Sequence, residues 1–571
     1  MKRHLHPLDK KEDRIIAYFS MEIGLDANIP TYSGGLGILA GDTIKACADL
    51  KVPMLAVTLM CQKGYFYQKL DHEGNQTEHP VEWNPGDYME LLPTKIVVSI
   101  EGRDVIVQVW EYWVKGVKGY EIPVYFLDTN VPENTDQDKN ITSMLYGGDE
   151  KFRLIQEVIL GIGGVRIMQA IGYHNIQKYH LNEGHSSLLI LELLRQTKIE
   201  TNDTHNFEKV REQCVFTTHT PVPAGHDNFG IDLVKQVLGE FLPEDIMKRA
   251  LHEGQVNMTW LALENSKYIN GVAKKHGEIS RDMFPGYPID SITNGVHSLT
   301  WTSEPFRTLY DKHIPGWRMD AFALRYALKI SRKEIWDAHM QAKKKLIDFV
   351  NGKTNAGMDY TTLTIGFARR CTQYKRPYLL FQNIDKLREI VDTAGKIQVL
   401  FAGKAHPKDN SGKELIKNIF SKITQLKEKI KIVYLENYDI EIGKLFTSGV
   451  DIWLNTPLKP WEASGTSGMK SCHNGIPNFS VLDGWWIEGH IENITGWSIG
   501  PKHKTEHKDH ITDDEKDAED LYYKLEKLII PMFYNDWDKW TEIMRHTIAF
   551  NASFFNTHRM IHQYVLNAYF H

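Results

Sequence analysis

The sequence predicts an α/β protein of two domains, each built around a parallel sheet. The chain has 571 residues, which is too long for one ordinary hydrophobic core. Its composition, with 42% apolar and 25% charged residues, is that of a globular protein. Short β-rich runs alternate with helical patterns, and this alternation is typical of parallel sheets with helices on both faces.

The N-terminal half contains buried-strand patterns separated by longer excursions. Its predicted elements are a long helix at Phe152–Ala170 and strands at Arg14–Ser20, Val52–Leu59, a run ending near Asn182, and Cys214–Thr218. A stretch rich in Gly and Asn, Gly352–Met358, follows a charged helix predicted at Arg332–Val350. We place the domain boundary there, which gives predicted domains of residues 1–355 and 356–571.

The C-terminal half gives the clearer alternation of strands and helices. Strands are predicted at Leu363–Ala368, Ile397–Gly403, Lys431–Leu435, Val450–Leu454 and Asn478–Leu482. Helices are predicted at Lys413–Lys429 and Ile440–Ser448, with Gly449 as a stop. The final helices, about 514–571, are candidates for crossing back onto the N-terminal domain.

Bulk charge and cysteine content exclude several function classes. The formal net charge of −6 argues against a nucleic-acid binder that relies on positive charge. No segment approaches the roughly 20 apolar residues of a membrane-spanning helix, and the first residues do not resemble a secretory signal. The five cysteines, and the histidines at 503, 507 and 510, lack the pattern of a metal site. We therefore expect a cytoplasmic protein without a nucleic-acid, membrane or metal partner.

A loop of small residues precedes one lysine in the segment Glu462–Lys470. Gly and Ser let backbone N–H groups crowd around an anion. The lysine suits pairing with a phosphate, or a Schiff base with an aldehyde cofactor. A solvated loop before a helix is the alternative for such a segment taken alone. Ligands of a parallel sheet bind at the rim formed by the carboxyl ends of its strands. The predicted strands place this loop at that rim, together with Arg369-Arg370, Lys404 and Tyr438.

Three further motifs fall at the ends of predicted strands or before a helix. The segment Phe367–Pro377 carries four cations, and arginine grips an oxyanion with paired N–H donors. Ser33–Gly37 is a glycine turn that precedes a helical pattern. Asn182–His185 and Thr217–Pro221 each place a histidine at a strand end. The alternatives are a solvated basic turn, a turn that serves backbone geometry only, and structural histidines.

In this order the motifs resemble those of the α-glucan (glycogen/maltodextrin) phosphorylases, over about Ile16–Glu488. These are pyridoxal-phosphate-dependent members of the two-Rossmann-domain glycosyltransferase group. The resemblance implies two Rossmann-like domains facing a central cleft, the GT-B-type architecture. Ser467-Gly468-Met469, Thr372 and Trp485-Trp486 are similar to the short bacterial and archaeal branch. The two tryptophans either stack on sugar faces or pack in the core.

The resemblance also implies roles for individual residues. Lys470 would hold the aldehyde of pyridoxal 5'-phosphate, and the cofactor phosphate would be held by Arg369, Gly465, Thr466, Ser467 and Gly468. The substrate phosphate would be held by Arg370, Lys375 and the backbone of Gly35 and Leu36. The glucosyl unit would be positioned by His219, Glu462, Asn182, His185, Asn294, Ser464 and Tyr438. The implied catalytic set is Lys470, Arg370, Lys375, His219 and Glu462.

The implied reaction is retaining phosphorolysis, in which α-1,4-glucan and inorganic phosphate give glucose 1-phosphate and a shortened chain. The cofactor phosphate, not its electron-sink ring, would take part in proton transfer. Two phosphates pressed together repel, so cations and amides must neutralise them. Three alternatives stay open: a phosphorylase of another glucoside, a nucleotide-sugar glycosyltransferase on the same fold, and a non-catalytic glucan-binding regulator. The sequence also leaves homo-oligomer formation open.

Overall fold

Two large sheets and two small ones organise the chain. The computed structural model describes residues 11–201, 205–222, 225–241, 243–501 and 513–570, so the histidine run at 503–510 lies outside the described residues. The strands are β1 (Ile16–Phe19), β2 (Met54–Leu59), β3 (Tyr67–Leu70), β4 (Gln76–His79), β5 (Glu90–Ile100), β6 (Arg103–Lys115), β7 (Glu121–Asp128), β8 (Lys178–Asn182), β9 (Cys214–Thr217), β10 (Asn228–Gly230), β11 (Leu251–His252), β12 (Gln255–Asn257), β13 (Tyr268–Gly271), β14 (Ile289–Ser291), β15 (Leu363–Ala368), β16 (Ile397–Ala402), β17 (Lys431–Leu435), β18 (Ile452–Asn455), β19 (Asn478–Val481) and β20 (Gly496–Ile499).

The helices separate most of these strands. They are α1 (Gly35–Leu50), α2 (Asp136–Lys139), α3 (Glu150–Val158), α4 (Gly164–Ala170), α5 (Leu189–Thr201), α6 (Phe207–Gln213), α7 (Ile231–Leu238), α8 (Glu244–Ala250), α9 (Met258–Glu264), α10 (Lys274–Met283), α11 (Ser298–Trp301), α12 (Glu304–His313), α13 (Arg332–Thr354), α14 (Ile384–Thr393), α15 (Asn410–Leu426), α16 (Ile440–Gly449), α17 (Ser467–Cys472), α18 (Trp486–Gly489), α19 (Asp514–Lys524), α20 (Ile530–Asn535), α21 (Trp537–His546) and α22 (Thr557–Tyr564). The helix predicted at Phe152–Ala170 is continuous but contains a π-helical turn at Ile159–Gly163. Within the described ranges, no helix combines the length and apolar character needed to cross a bilayer.

The N-terminal sheet has the order β14-β13-β9-β8-β1-β2-β7-β6-β5. From β14 to β7 neighbouring strands pair in parallel, as predicted. The prediction was wrong for the far edge, where β5, β6 and β7 pair antiparallel. Residues of β5 and β6 alternate between more buried and more exposed, so this hairpin has a solvated face and no continuous apolar run to reveal it.

The C-terminal sheet has the order β17-β16-β15-β18-β19-β20 and is parallel throughout. It contains the five strands predicted for this half of the chain, with ends shifted by no more than one or two residues. Strand β15 lies in the middle of the sheet, and its carboxyl end leads directly into Arg369-Arg370. The α/β fold of the GT-B type is therefore confirmed, with one sheet parallel throughout and the other parallel except at its β5–β6–β7 edge.

The last helices contact both halves of the chain. The predicted helical character of residues 514–570 is confirmed, although π-helical turns interrupt the run. Helix α22 packs against α1, and Arg559 Nη2 donates to the carbonyl oxygen of Asn294 at 2.9 Å. Asn270 Nδ2, at the end of β13, donates to Tyr564 Oη at 3.0 Å. We keep the boundary near residue 355, and the assignment of these helices to a domain, as proposals.

Candidate active site

A cleft of about 580 Å³ lies between the carboxyl ends of the two sheets. One wall of the cleft comes from loops of the N-terminal sheet and the other from loops of the C-terminal sheet. Helix α13 lies between the two sheets in the sequence and ends before the loop that enters β15. Fifteen of the residues singled out in the sequence line it together: Gly35, Leu36, His185, His219, Asn294, Arg369, Arg370, Lys375, Tyr438, Glu462, Ser464, Gly465, Thr466, Ser467 and Lys470.

Two of the singled-out residues, Asn182 and Gly468, lie behind the wall instead of in it. His219 Nε2 donates to Asn182 Oδ1 at 2.6 Å, so Asn182 orients that imidazole. A Cβ added to Gly468 would lie 2.1 Å from Asn478 Oδ1, so this glycine is required by packing. Of the two readings of Trp485 and Trp486, the core alternative is confirmed, since both are buried and Trp485 packs on Phe555 with ring centroids 4.7 Å apart.

Lys470 occupies an apolar position on the C-terminal wall. Only 6% of its surface is exposed, and its Nζ lies 3.8 Å from the centre of the Trp301 ring. Its amino group forms no hydrogen bond or ion pair with any described residue. Burial disfavours the ammonium form and lowers the pKa of Lys470 to about 8, against a smaller opposing effect of Asp42. Lys470 is therefore a buried amine that is partly neutral near physiological pH.

Glu462 is shared by two cations on the same wall. Its Oε2 accepts hydrogen bonds from Arg369 Nη1 at 2.6 Å and from Lys375 Nζ at 2.7 Å. Burial alone would raise the pKa of Glu462, but the two adjacent cations lower it to about 2. One carboxylate compensates only one of the two cations, so the group keeps one net positive charge with which to attract an anion that enters the cleft.

Arg370 differs from its two cationic neighbours because it has no carboxylate partner. It lines the cleft with an accessible side chain and forms no hydrogen bond or ion pair with a described residue. Its aliphatic part lies against the glycine turn, where a Cβ on Gly34 would stand 3.3 Å from Arg370 Cδ. The guanidinium is therefore available for an anion that enters between the two walls.

On the N-terminal wall, buried carboxylates hold the loops in place. The backbone N–H of Gly34 donates to Glu22 Oε2 at 3.2 Å, and Tyr146 OH donates to Glu22 Oε1 at 3.0 Å. The backbone N–H of His219 donates to Glu183 Oε2 at 2.7 Å. Burial lowers the pKa of His219 to about 4, which keeps its imidazole neutral.

Sequence reasoning missed three residues that line or support the cleft, Glu22, Tyr146 and Arg153, whereas Lys404 lines it at the rim position expected from the sequence. Arg153 Nη2 donates to His185 Nε2 at 2.9 Å, from a helix whose function no motif signals. Burial lowers the pKa of Lys404 to about 8, and its Nζ donates to the carbonyl oxygen of Phe66 at 2.8 Å. Glu22 follows β1 by three residues, and this strand-end position was the one signal that could have revealed it.

Comparison with known proteins assigns the chain to a family. The sequence model described as carbohydrate phosphorylase matches residues 244–528. The maltodextrin phosphorylase of Thermococcus litoralis is 38% identical over 97% of this chain and 70% of its own length. The chain belongs to the carbohydrate phosphorylase family. It is an enzyme of the glycosyltransferase class, as the resemblance predicted.

Two further relatives are matched over a larger share of their own length. The glycogen phosphorylase of Aquifex aeolicus is 33% identical over 100% of this chain and 88% of its own length. An uncharacterized protein of Methanocaldococcus jannaschii is 31% identical over 97% of this chain and 99% of its own length. The chain therefore matches this relative over nearly the whole length of both sequences.

Proposed function

We propose that this phosphorylase is a retaining α-1,4-glucan phosphorylase that binds pyridoxal 5'-phosphate through Lys470 and forms glucose 1-phosphate. The observation that carries the proposal is the buried, unpaired amine of Lys470 in a cleft that also holds Arg369, Arg370 and Lys375. A buried lysine with a lowered pKa is suited to bond an aldehyde carbon. The concentration of cations around it is suited to more than one phosphate.

The residues around Lys470 fit the cofactor. Arg369 and the backbone amides of Thr466 and Ser467, at the start of α17, would supply donors for its phosphate, while Gly468 lies behind them. The Lys470 amine lies over the face of Trp301 and has no hydrogen-bond acceptor among the described residues. It is therefore available to react with an aldehyde. When bound, pyridoxal phosphate supplies a phosphate group that exchanges a proton with the substrate phosphate.

Arg370 and Lys375, with the backbone N–H groups of Gly35 and Leu36, would bind the substrate phosphate. Two adjacent phosphates repel, and the cations lower the cost of holding them together. Lys375 is bound to Glu462 through a 2.7 Å hydrogen bond. A phosphate on Lys375 competes with that contact, which frees a Glu462 oxygen to accept a hydrogen bond from a sugar hydroxyl.

The glucosyl unit would be held by polar atoms that have no partner within the protein. Asn294 Oδ1 and Ser464 Oγ are buried without a hydrogen-bond partner, and such atoms are uncommon unless a ligand uses them. Tyr438 and His219 line the same cleft. The backbone carbonyl of His219 would stabilise the oxocarbenium-like charge that develops at the anomeric carbon.

The proposal is tested by incubating cofactor-loaded protein with maltodextrin and inorganic phosphate. We expect glucose 1-phosphate in the α configuration, measured by coupled assay and by NMR. Loaded protein that forms none would contradict the proposal. Transfer from a sugar nucleotide without pyridoxal phosphate would favour the transferase alternative, and glucan binding by a protein that cannot hold the cofactor would favour the binding alternative.

A methyl group at Gly35 is expected to weaken phosphate binding without unfolding the protein. A Cβ there would meet nothing within 4 Å, so the added group would project into open space beside the amide. We expect Gly35→Ala to raise the KM for phosphate about tenfold, as for the loss of one hydrogen bond to a charged group. Gly352→Ala is the matched control, since its Cβ also meets nothing within 4 Å and it lies in α13. Equal KM values for both variants would contradict the assigned role.

The lowered pKa of Lys470 predicts how cofactor uptake depends on pH. Only the neutral amine attacks an aldehyde, so the uptake rate of cofactor-stripped protein should rise with pH and level off above about 8. Below that value we expect it to fall about tenfold per pH unit. The measurement is the absorbance change on adding pyridoxal phosphate across a pH series. A midpoint near the usual lysine value of about 10 would contradict the buried setting of this amine.

A further inference from the structure

A second group of metal-ligating side chains lies outside the cleft, where three distant segments meet. Asp49 is near the end of α1, His297 directly precedes α11, and His558 is in α22. One potential ligand atom from each residue lies within 4.8 Å of the other two. Asp49 Oδ2 lies 2.9 Å from His297 Nε2 and 3.1 Å from His558 Nε2. Two imidazoles therefore converge on one carboxylate oxygen.

The arrangement has the donor set and spacing of a zinc-class site. Zinc binds histidine nitrogen and carboxylate oxygen at about 2.0–2.2 Å, usually in tetrahedral geometry. Two such donors on one ion are roughly 3.3 Å apart, close to the spacings around Asp49 Oδ2. The three side chains are buried, with 3%, 5% and 6% of the surface of Asp49, His297 and His558 exposed. The three donors leave the fourth tetrahedral position for a water molecule, and their burial suits an ion that holds the surrounding segments together.

The charge balance of the cluster also favours a cation. A buried carboxylate needs a compensating charge, and Asp49 forms no ion pair with a lysine or arginine in the described parts of the chain. Its other oxygen accepts from the backbone N–H of Val117 at 2.8 Å. His297 and His558 compensate the carboxylate only when they are protonated, whereas a divalent ion would supply the charge and take both Nε2 lone pairs. His297 Nδ1–H would then donate to Thr300 Oγ1, 2.7 Å away, as partners of metal-bound histidines do.

We propose that Asp49, His297 and His558 form a structural site for one divalent ion of the zinc class. The ion would tie α22 to α1 and to the segment that carries Asn294. The amino-terminal end of α1 lines the cleft at Gly35, so the same helix joins the metal site to the phosphate-binding turn. The position of α22 would thus be fixed by the bond between His558 and the ion, which no sequence motif predicts.

The test uses untagged, full-length protein, stripped of metal with a chelator and then supplied with Zn²⁺ or Co²⁺. We expect about one Zn²⁺ per chain by metal analysis and a midpoint of thermal unfolding that rises by several degrees when Zn²⁺ is added. Co²⁺ should give the visible ligand-field band of a tetrahedral site. His558→Gln should lose both the bound ion and the rise in unfolding temperature.

His313→Gln is the matched control, because His313 Nε2 also pairs with a carboxylate, Glu334, at 2.9 Å, but on the surface. It should bind Zn²⁺ as the wild type does. Stripped wild-type protein that takes up no Zn²⁺ and gives no Co²⁺ band would overturn the proposal. Asp49, His297 and His558 would then be joined by hydrogen bonds alone. Both of those readouts use the wild-type protein, so they decide the question even if a variant fails to fold.

Discussion

Replacement of Lys470 by alanine is expected to abolish retention of pyridoxal phosphate and to remove phosphorolysis. The Lys470 amine is buried in the cleft without a described partner, whereas the other two cleft lysines are engaged, Lys375 by Glu462 and Lys404 by the carbonyl oxygen of Phe66. We expect the loaded protein's absorbance at the blue edge of the visible to vanish. Glucose 1-phosphate formation should fall at least about a hundred- to ten-thousandfold, the contribution of general acid–base catalysis.

Lys444→Ala is the control for this change. Lys444 lies on the outer face of α16, where it pairs with Glu441 at 2.7 Å, and it does not line the cleft. It should keep cofactor absorbance and activity. Mass analysis after borohydride reduction should place the cofactor adduct on the peptide that contains Lys470. An adduct on another lysine, with activity kept in Lys470→Ala, would contradict the proposed site.

Replacement of Arg370 by alanine is expected to affect phosphate far more than glucan. Unlike Arg369 and Lys375, Arg370 is not paired with a carboxylate of the described residues, so an entering anion gains much from it. We expect kcat/KM for phosphate to fall about a hundred- to a thousandfold, the range for removing one preorganised donor. Arg370→Lys should recover only part, because an ammonium lacks the paired N–H groups of guanidinium.

The result is read from initial rates at varied phosphate and fixed maltodextrin, with glucan binding measured separately. Arg318→Ala is the control, since Arg318 also carries a full charge but is held by Asp311 at 2.6 Å on the surface. A loss of glucan affinity equal to the loss in phosphate kinetics would mean that Arg370 shapes the cleft as a whole. An unchanged phosphate KM in Arg370→Ala would contradict its assignment.

Much of the fold could be predicted because parallel strands are buried on both faces. The sequences of β15, β16 and β17 are mostly apolar, with a single polar residue each, so the predicted strand ends lie close to the observed ones. The β5–β6 hairpin could not be found in this way, since one of its faces meets solvent. The spacing of apolar residues that predicts a helix likewise does not show where a π-helical turn such as Ile159–Gly163 interrupts it.

The site was predictable where its residues are neighbours in sequence. Glu462 and Lys470 lie in one short segment, and Arg370 and Lys375 lie in another. Glu22 and Arg153 are far from both, and each contributes one side chain from an otherwise ordinary element. The cluster of Asp49, His297 and His558 was missed for the same reason, because its members meet only when α22 packs on α1.

The Trp301 indole that covers Lys470 lies in α11, on the N-terminal side of the proposed boundary near residue 355. Trp301 Nε1 donates to Asp42 Oδ2 on α1 at 2.7 Å, so the aromatic face that covers the lysine is fixed to the N-terminal sheet. A change that frees Trp301 from Asp42 would remove that cover, so Lys470 would meet water and regain its proton. The bond between lysine and cofactor would then be exposed to hydrolysis. Under the proposed function, conditions that break the contact between Trp301 and Asp42 should therefore remove the cofactor absorbance before they unfold the protein.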